Sequence, residues 1–243
     1  MDAVILVGGE GRRLRKAVPG VPKPLAPVGA VPFLRFLLDA LDRTVRIRRA
    51  VFTLGHRGGQ VEDFIRSESG RWRFQPCFSR EEKLLGTGGG LRLALAKTAG
   101  EAVLVLNGDT FLRIDPVRLK AAFSRRGARA ALVACRVPDA SRYGALRLAA
   151  SGRVLGFAEK GKTGTGWING GTYLLDRKAY LAFTSPGRAF SIEREVLSEW
   201  VRLEPGSVVA VRAPGKGFLD IGDPKAYAGA ARFLGRYGLT GQR

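Results

Sequence analysis

Two acidic turns follow apolar runs in this 243-residue chain: "VLNGD", ending on Asp109, and "GFLDIGDP", which carries Asp220. A carboxylate at the carboxyl edge of a buried strand lies where open α/β sheets bind their ligands. Two such carboxylates can hold one or two Mg²⁺ ions, which prefer oxygen ligands and substrate phosphates. Either Asp could instead cap a helix or form a turn. Asp223, immediately before Pro224, already supplies that cap, so Asp220 needs another explanation. Near the start, "AVILVGGEGRRLR" runs an apolar strand into Gly8, Gly9 and Gly11 and then into Arg12, Arg13, Arg15 and Lys16. Glycines let backbone N–H groups approach a phosphate, and the planar fork of arginine matches phosphate oxygens. The alternative is a tight turn with its arginines in solvent. The loop is neither a Walker A motif nor a G-x-G-x-x-G fingerprint, since Leu14 stands at the third glycine. Lys23, between two prolines in "VPKPLAP", projects from a stiff segment, either as a cation for a triphosphate or as an exposed turn lysine.

Those residues need a scaffold, and the chain spells one out. Apolar strands at Ala3–Val7, Ala50–Leu54, Arg73–Ser79 and Ala102–Leu106 alternate with helices. These helices are Phe33–Leu41 behind Pro32, one containing Val61–Ile65, one following the glycines from Gly86, and one begun by Asp115 and Pro116. This alternation predicts a mostly parallel sheet with right-handed crossovers. Past Ala128 the texture changes. A hairpin is expected around Ser151–Gly152, a glycine-interrupted strand in "WINGGTYLLD", and a helix capped by Ser191. Short strands in "VVAVRA" and "GFLDIG" and a closing helix Asp223–Tyr237 complete it. The expectation is one α/β domain over 1–243, with 1–127 mainly for one ligand and 128–243 mainly for another.

Composition narrows the function classes. Hydrophobic residues make up 45% and charged residues 26%, as in soluble globular proteins. No apolar run reaches the ~20 residues of a membrane span, and the N-terminus lacks a signal-peptide pattern, so a cytoplasmic address and no membrane insertion are expected. Cys77 and Cys135 lie in strand-like runs and read as buried thiols. Forty-one Lys and Arg against 21 Asp and Glu give a net charge of +20, which favours anionic partners. The charge is scattered, however, and Trp72, Trp167 and Trp200 fall in separate segments, so no nucleic acid is expected as partner. The only histidine is His56. A lone histidine is more often a loop or partly buried residue than a catalyst, so it is not singled out as a base.

Taken in order, "GGEGRRL", "PKPL", "LGTGGG", "NGD", "YG", "EK", "NGG" and "DIG" resemble the motifs of the sugar-1-phosphate nucleotidyltransferases over essentially the whole chain. "LNGDT", "SRYGALRL", "INGGTYLLD" and "FSIEREVL" are similar to the D-glycero-α-D-manno-heptose 1-phosphate guanylyltransferase branch. The resemblance implies a Rossmann-like three-layer α/β/α fold of the glycosyltransferase-A-like kind, with an antiparallel elaboration in its second half. It implies Mg²⁺-dependent transfer of a nucleotidyl group from a nucleoside triphosphate, GTP in this branch, to a sugar 1-phosphate. Leu6, Gly8, Gly9, Gly11, Arg12, Arg13 and Asn107 would then hold the nucleotide, Lys23 its triphosphate, and Gly86, Thr87 and Gly88 the nucleoside. Asp109 and Asp220 would be the metal ligands, with Asp220 also facing the sugar phosphate. Tyr143, Gly144, Glu159, Asn169 and Gly170 would line the sugar site, and Lys160 would meet its phosphate. Arg12 departs from the family's usual Thr and either adds a phosphate contact or turns outward. The base could instead be uracil, thymine or cytosine and the sugar a hexose or N-acetylmuramic acid. A homo-oligomer stays open.

Overall fold

The computed structural model describes residues 1–11, 13–14, 17–125, 127–158, 164–213 and 217–239. Its centre is a mixed, mostly parallel sheet between helices. β1 (Asp2–Leu6) lies between β4 (Arg49–Leu54) and β6 (Ala102–Asn107), parallel to both, and β5 (Gln75–Arg80) extends the sheet beyond β4. β1 alternates faces: Ala3 and Ile5 join one core cluster and Val4 another, all fully buried. A strand covered on both sides has to be apolar throughout, which is why "AVIL" carries no polar residue. The chain runs outward from β1 to β4 and β5, then returns to β6 on the other side of β1. Such a switch point opens a crevice at the strands' carboxyl ends.

Helices α1 (Phe33–Thr44) and α2 (Gly58–Ser67) cover one face, and α3 (Gly86–Leu95) covers the other. In α1, Phe33, Leu34, Phe36, Leu37, Leu38 and Leu41 are buried, the stripe that the sequence spacing predicts. α4 (Pro116–Phe123) starts as expected, with the Asp115 side chain accepting from Arg118 N and Pro116 in the first turn.

The second half adds antiparallel strands. β11 (Gly166–Asp176) pairs with β6 along its C-terminal part, with β9 (Ala145–Leu148) at Trp167 and Ile168, and with β8 (Ala130–Val137) on its other side. β9 and β10 (Val154–Phe157) form the expected hairpin, and β12 (Val208–Ala213) runs parallel to β8. The "NGG" of β11 is a bulge: its register with β8 shifts between Asn169 and Tyr173, and Gly171 takes φ 70°.

Three differences from the sequence expectations have local causes. The closing helix is two, α7 (Pro224–Ala228) and α8 (Ala230–Gly235), divided at Gly229. The segment after Ser191 opens with a π-helical turn, Ile192–Leu197, before α6 (Ser198–Leu203), although Ser191 does cap it through Arg194 N. A short helix α5 (Arg177–Phe183) and the short strands β7 (Thr110–Leu112), β2 (Pro27–Val28) and β3 (Val31–Pro32) had no strong pattern of their own. β7 matters most, because it pairs antiparallel with β13 (Phe218–Asp220). Among the described residues no helix is long and apolar enough to cross a membrane.

Candidate active site

The crevice at the switch point contains a cleft of about 440 Å³, and the loop after β1 forms its floor. That loop is pinned from two sides. Val7 N donates to the buried hydroxyl of Thr53 at 3.1 Å, and Gly108 N donates to Leu6 O at 2.9 Å. A Cβ at Gly55 would stand 3.2 Å from Gly8 Cα and nearer still to Gly8 O, so glycine is required where β4 passes the loop. At Gly9 a Cβ would meet nothing within 4 Å, which leaves the backbone open to the cleft. Leu6, Gly8, Gly9, Gly11, Arg13 and Asn107 all line this space. Arg12, Arg15, Lys16, Glu159 and Lys160 lie outside the described residues.

Lys23 begins a 3₁₀ turn, Lys23–Leu25, set by Pro22 at φ −63° and Pro24. Its side chain is 11% exposed, and Nζ lies 2.6 Å from Asp109 Oδ2 and 3.3 Å from Asp220 Oδ1. Strand register brings the two acids together: β13 places Asp220 opposite Thr110, and Ile221 N donates to Asp109 O at 3.1 Å. Gly222 N donates to Asp220 Oδ1 at 2.7 Å, which fixes that carboxylate. Burial pulls the Lys23 ammonium down, but Asp109 and then Asp220 outweigh it and hold the pKa above the usual lysine value. Asp223 caps α7, accepting from Lys225 N and Ala226 N, and pairs with Arg142.

Two carboxylate oxygens aimed at one cationic centre suit a hard divalent cation that takes its remaining ligands from phosphates and water. Among the described residues no group of three or more His, Cys, Asp or Glu gathers anywhere. The fit is therefore to a cation shared with a substrate.

The expected sugar-side residues divide. Tyr143 is half-buried, packs edge-on against Phe218 at 5.5 Å, and has its phenol pKa raised by burial and by the charge of Asp220. It therefore flanks the carboxylate pair. Gly144, at φ 79°, packs against the backbone at Ala158. Asn169 belongs to a polar cluster: its Nδ2 donates to Tyr173 Oη at 2.8 Å and to Glu193 Oε1 at 3.3 Å, and Tyr173 Oη donates to Glu193 Oε1 at 3.0 Å. A Cβ at Gly171 would press on the side chain of Asn107, so this cluster adjoins the cleft. Gly170 faces inward instead, and its Cβ would stand 2.8 Å from Leu112 Cδ2 and 2.9 Å from Val133 O.

The "LGTGGG" segment also divides. Gly86 and Thr87 line the cleft, but Gly88 is buried behind it. The segment around Phe190 crosses the start of α3: Gly88 N donates to Phe190 O at 2.9 Å, and Ile192 N to Thr87 Oγ1 at 3.1 Å. A Cβ on Gly88 would stand inside the Phe190 ring's contact distance and 3.1 Å from Ile192 N. That glycine therefore admits a neighbouring segment of the protein.

Of the cleft residues that the sequence does not single out, one carries charge deep in the wall. Glu81, just after β5, lines the same cleft as Lys23; its Oε2 accepts from Leu85 N at 2.8 Å, at the start of α3. Its Oε1 would lie 3.0 Å from a Cβ at Gly8 and 2.6 Å from one at Gly90, so two glycines make space for the carboxylate. Burial raises its pKa above the usual carboxylate value, and the Leu85 hydrogen bond only partly offsets this. The available signal was its position five residues before the glycine-rich helix start, where an acid can serve the helix N-terminus.

Comparisons with known proteins agree with this geometry. The chain matches the nucleotidyl transferase family model over residues 2–236. It is 33% identical to a D-glycero-alpha-D-manno-heptose 1-phosphate guanylyltransferase of Aneurinibacillus thermoaerophilus, over 98% of this chain and 100% of that one. It is 31% identical to the enzyme of the same name from Campylobacter jejuni, over 93% and 97%. The crystal structure of HddC from Yersinia pseudotuberculosis, also solved complexed with GMP-PN, superposes with a TM-score of 0.82 at 28% identity, covering 97% of this chain and 99% of that one. With a family model matched over residues 2–236 and relatives aligned almost end to end, the protein belongs to the nucleotidyl transferase family.

Proposed function

We propose that this protein transfers the guanylyl group of GTP to D-glycero-α-D-manno-heptose 1-phosphate, releasing pyrophosphate and using Mg²⁺ as its divalent cation. The observation that carries this reading is the convergence of Asp109 and Asp220 on one cationic centre beside the glycine loop. The choice of base and sugar rests on the two heptose 1-phosphate guanylyltransferases and on the HddC complex with GMP-PN.

In the reaction an oxygen of the sugar phosphate bonds to the α-phosphorus of GTP as the bond to the bridging oxygen breaks, and pyrophosphate departs in line. The nucleophile arrives deprotonated, so no residue has to accept a proton. The difficulty is charge: at an effective dielectric near 20, two unit charges 4 Å apart repel by about 4 kcal/mol, and several such pairs must be brought together. Asp109 and Asp220 would hold Mg²⁺, which when bound neutralises triphosphate charge and favours departure of pyrophosphate. Gly8, Gly9 and Gly11 present backbone to the phosphates, and Arg13 and Lys23 add positive charge from the cleft's floor. Thr87 and Gly86 border the nucleoside. Glu81 suits guanine, because a carboxylate accepts from the N1–H and N2–H donors that guanine offers and adenine lacks. Asn169, Glu193 and Tyr143 face the sugar side. Lys160, with Glu159, is assigned to the sugar phosphate by motif.

The test is pyrophosphate release by the purified protein with each of GTP, ATP, UTP, CTP and dTTP, against a panel of sugar 1-phosphates that includes the heptose. GTP with the heptose phosphate should give the highest kcat/KM. Equal rates with the other triphosphates would remove the guanylyl assignment, and a preferred hexose phosphate would remove the heptose.

A further inference from the structure

Gly222 has no evident reason to be glycine except one. Its φ is not among the positive values found in the chain, so the backbone does not demand it. The atoms that a Cβ there would meet belong to Lys23 and Asp220: Lys23 Nζ closest, then Asp220 Oδ1 at 2.9 Å and Lys23 Cε at 3.0 Å. At the other end of the same side chain, a Cβ on Gly11 would stand 2.9 Å from Lys23 Cβ, and Gly11 holds φ 60°. Two glycines from opposite ends of the chain thus form a slot, and the slot delivers the Lys23 ammonium to the point where Asp109 Oδ2 and Asp220 Oδ1 converge.

That point is also where a divalent cation shared by these two oxygens has to sit. Ammonium and dication cannot occupy it together, since both need the same lone pairs and like charges repel at contact. A triphosphate offers the ammonium a second set of oxygens on the same floor of the cleft, because Lys23 lines it beside the glycine loop.

We infer that Lys23 is the resident cation of the metal site in the nucleotide-free protein, and that Gly222 is the positioning residue that keeps it there. The divalent cation therefore gains Asp109 and Asp220 only when a triphosphate draws Lys23 away, so metal and nucleotide bind together. Free metal competes poorly. This rests on the assignment of Asp109 and Asp220 as the metal pair, and it adds an order of binding to that assignment.

The test is Mn²⁺ binding to the full-length, nucleotide-free protein, read from the electron paramagnetic resonance signal of free Mn²⁺. Wild type should bind Mn²⁺ weakly without nucleotide. Lys23→Met should bind it tighter by about tenfold or more, and adding Asp220→Asn to that variant should abolish the gain. Lys23→Gln is read in the same way if the methionine variant folds poorly by circular dichroism. Gly222→Ala, whose Cβ takes the place of the ammonium, should increase acetylation of Lys23 in the nucleotide-free protein, measured by peptide mass spectrometry. In wild type, Lys23 should label slowly, and Mn²⁺ added without nucleotide should not speed it. The inference is overturned if Lys23→Met binds Mn²⁺ no more tightly than wild type, or if wild type binds it equally well with and without nucleotide. Failure of the transferase reading would show separately, as absent pyrophosphate release with Mn²⁺ competition intact.

Discussion

Replacing Asp109 with Asn tests the site at its most exposed point. The substitution keeps the shape and removes one unit of charge. At an effective dielectric near 20, the attraction between Lys23 Nζ and Asp109 Oδ2 at 2.6 Å is about 6 kcal/mol, and that to Asp220 Oδ1 at 3.3 Å is about 5 kcal/mol. Asp109 is 34% exposed, so water screens its share, and a net effect of about 1 kcal/mol remains for a single positive charge. A dication loses more than an ammonium does, and the loss falls where charge develops during transfer. We therefore expect Asp109→Asn to lower kcat/KM by about 10²–10³-fold, equivalent to about 2.7–4 kcal/mol. Folding should change little, because Lys23 keeps Asp220 and the two carboxylates no longer repel each other. A loss of 1 kcal/mol would shift Tm by about 2–4 °C in a chain of this size. The assay is pyrophosphate release across a Mg²⁺ titration, with Tm followed in parallel. Asp220→Asn should behave alike, and the double variant should be little worse than either single one, because the two act as a unit. Activity within about tenfold of wild type at saturating Mg²⁺ would refute the reasoning, as would a loss fully accounted for by unfolding.

Other expectations follow from individual contacts. Burial raises the Glu81 pKa, so the folded chain holds that proton more tightly than the unfolded one. The stability from protonated Glu81 is present below the ordinary carboxylate range and lost as pH rises through the raised value. Glu81→Gln, which imitates the protonated acid, should therefore raise Tm at pH above that value, show no gain in acid, and weaken the preference for GTP over ATP. Gly88→Ala should cost about 1–3 kcal/mol in thermal or denaturant unfolding, because its methyl meets the Phe190 ring. Gly9→Ala, whose methyl meets nothing within 4 Å, should leave Tm unchanged and raise the KM for nucleotide. Asn169→Ala and Glu193→Gln should raise the KM for sugar phosphate while leaving that for nucleotide in place, and a reversed pattern would move the polar cluster to the other substrate.

What the sequence disclosed depended on how far each residue's role reaches along the chain. Leu6, Gly8, Asn107 and Asp109 could be placed at strand ends because apolar runs and glycine turns are local signals. Asp220 stands out by its apolar run, by the "DIG" motif and because Asp223 already supplies the cap; its meeting with Asp109 depends on the pairing of β7 with β13, and β7 is three residues long. Glycines were legible as glycines but not by direction. Gly9 opens to the cleft, whereas Gly88 and Gly170 face inward and make room for Phe190 and for Leu112 with Val133. The strip of sequence is the same in both cases, and only the element packed against it decides. Glu81 and Glu193 were missed for the same reason. Each lies among ordinary charged residues, and neither becomes a site residue until β5 meets α3 or the π-helical turn meets β11.

The net charge of +20 looks like the chain's clearest functional statement, and ion pairing leaves all of it in place, because it is the excess after every acid is counted against a base. Asp2 is held by Arg48, Asp39 by Arg71, Asp42 by Arg73, Glu62 by Arg66 and Arg80, Glu68 by Arg35, and Glu199 by Arg202. Many acids outside the cleft are thus tied to arginines, each exposed pair worth about 0–1 kcal/mol. The remaining excess attracts anions at long range, but at physiological salt it is screened beyond about 8 Å, so it cannot hold a triphosphate in register. Selection has to come from groups inside the cleft, where the acids are treated differently. Asp109 and Asp220 meet a lysine that a metal and a nucleotide together can displace. Glu81 is governed by burial, which raises its pKa, and by the Leu85 N–H, which partly offsets that rise. The Leu85 N–H offsets only part of the desolvation cost of that carboxylate, and further donors, such as those of the proposed guanine, would offset more of it.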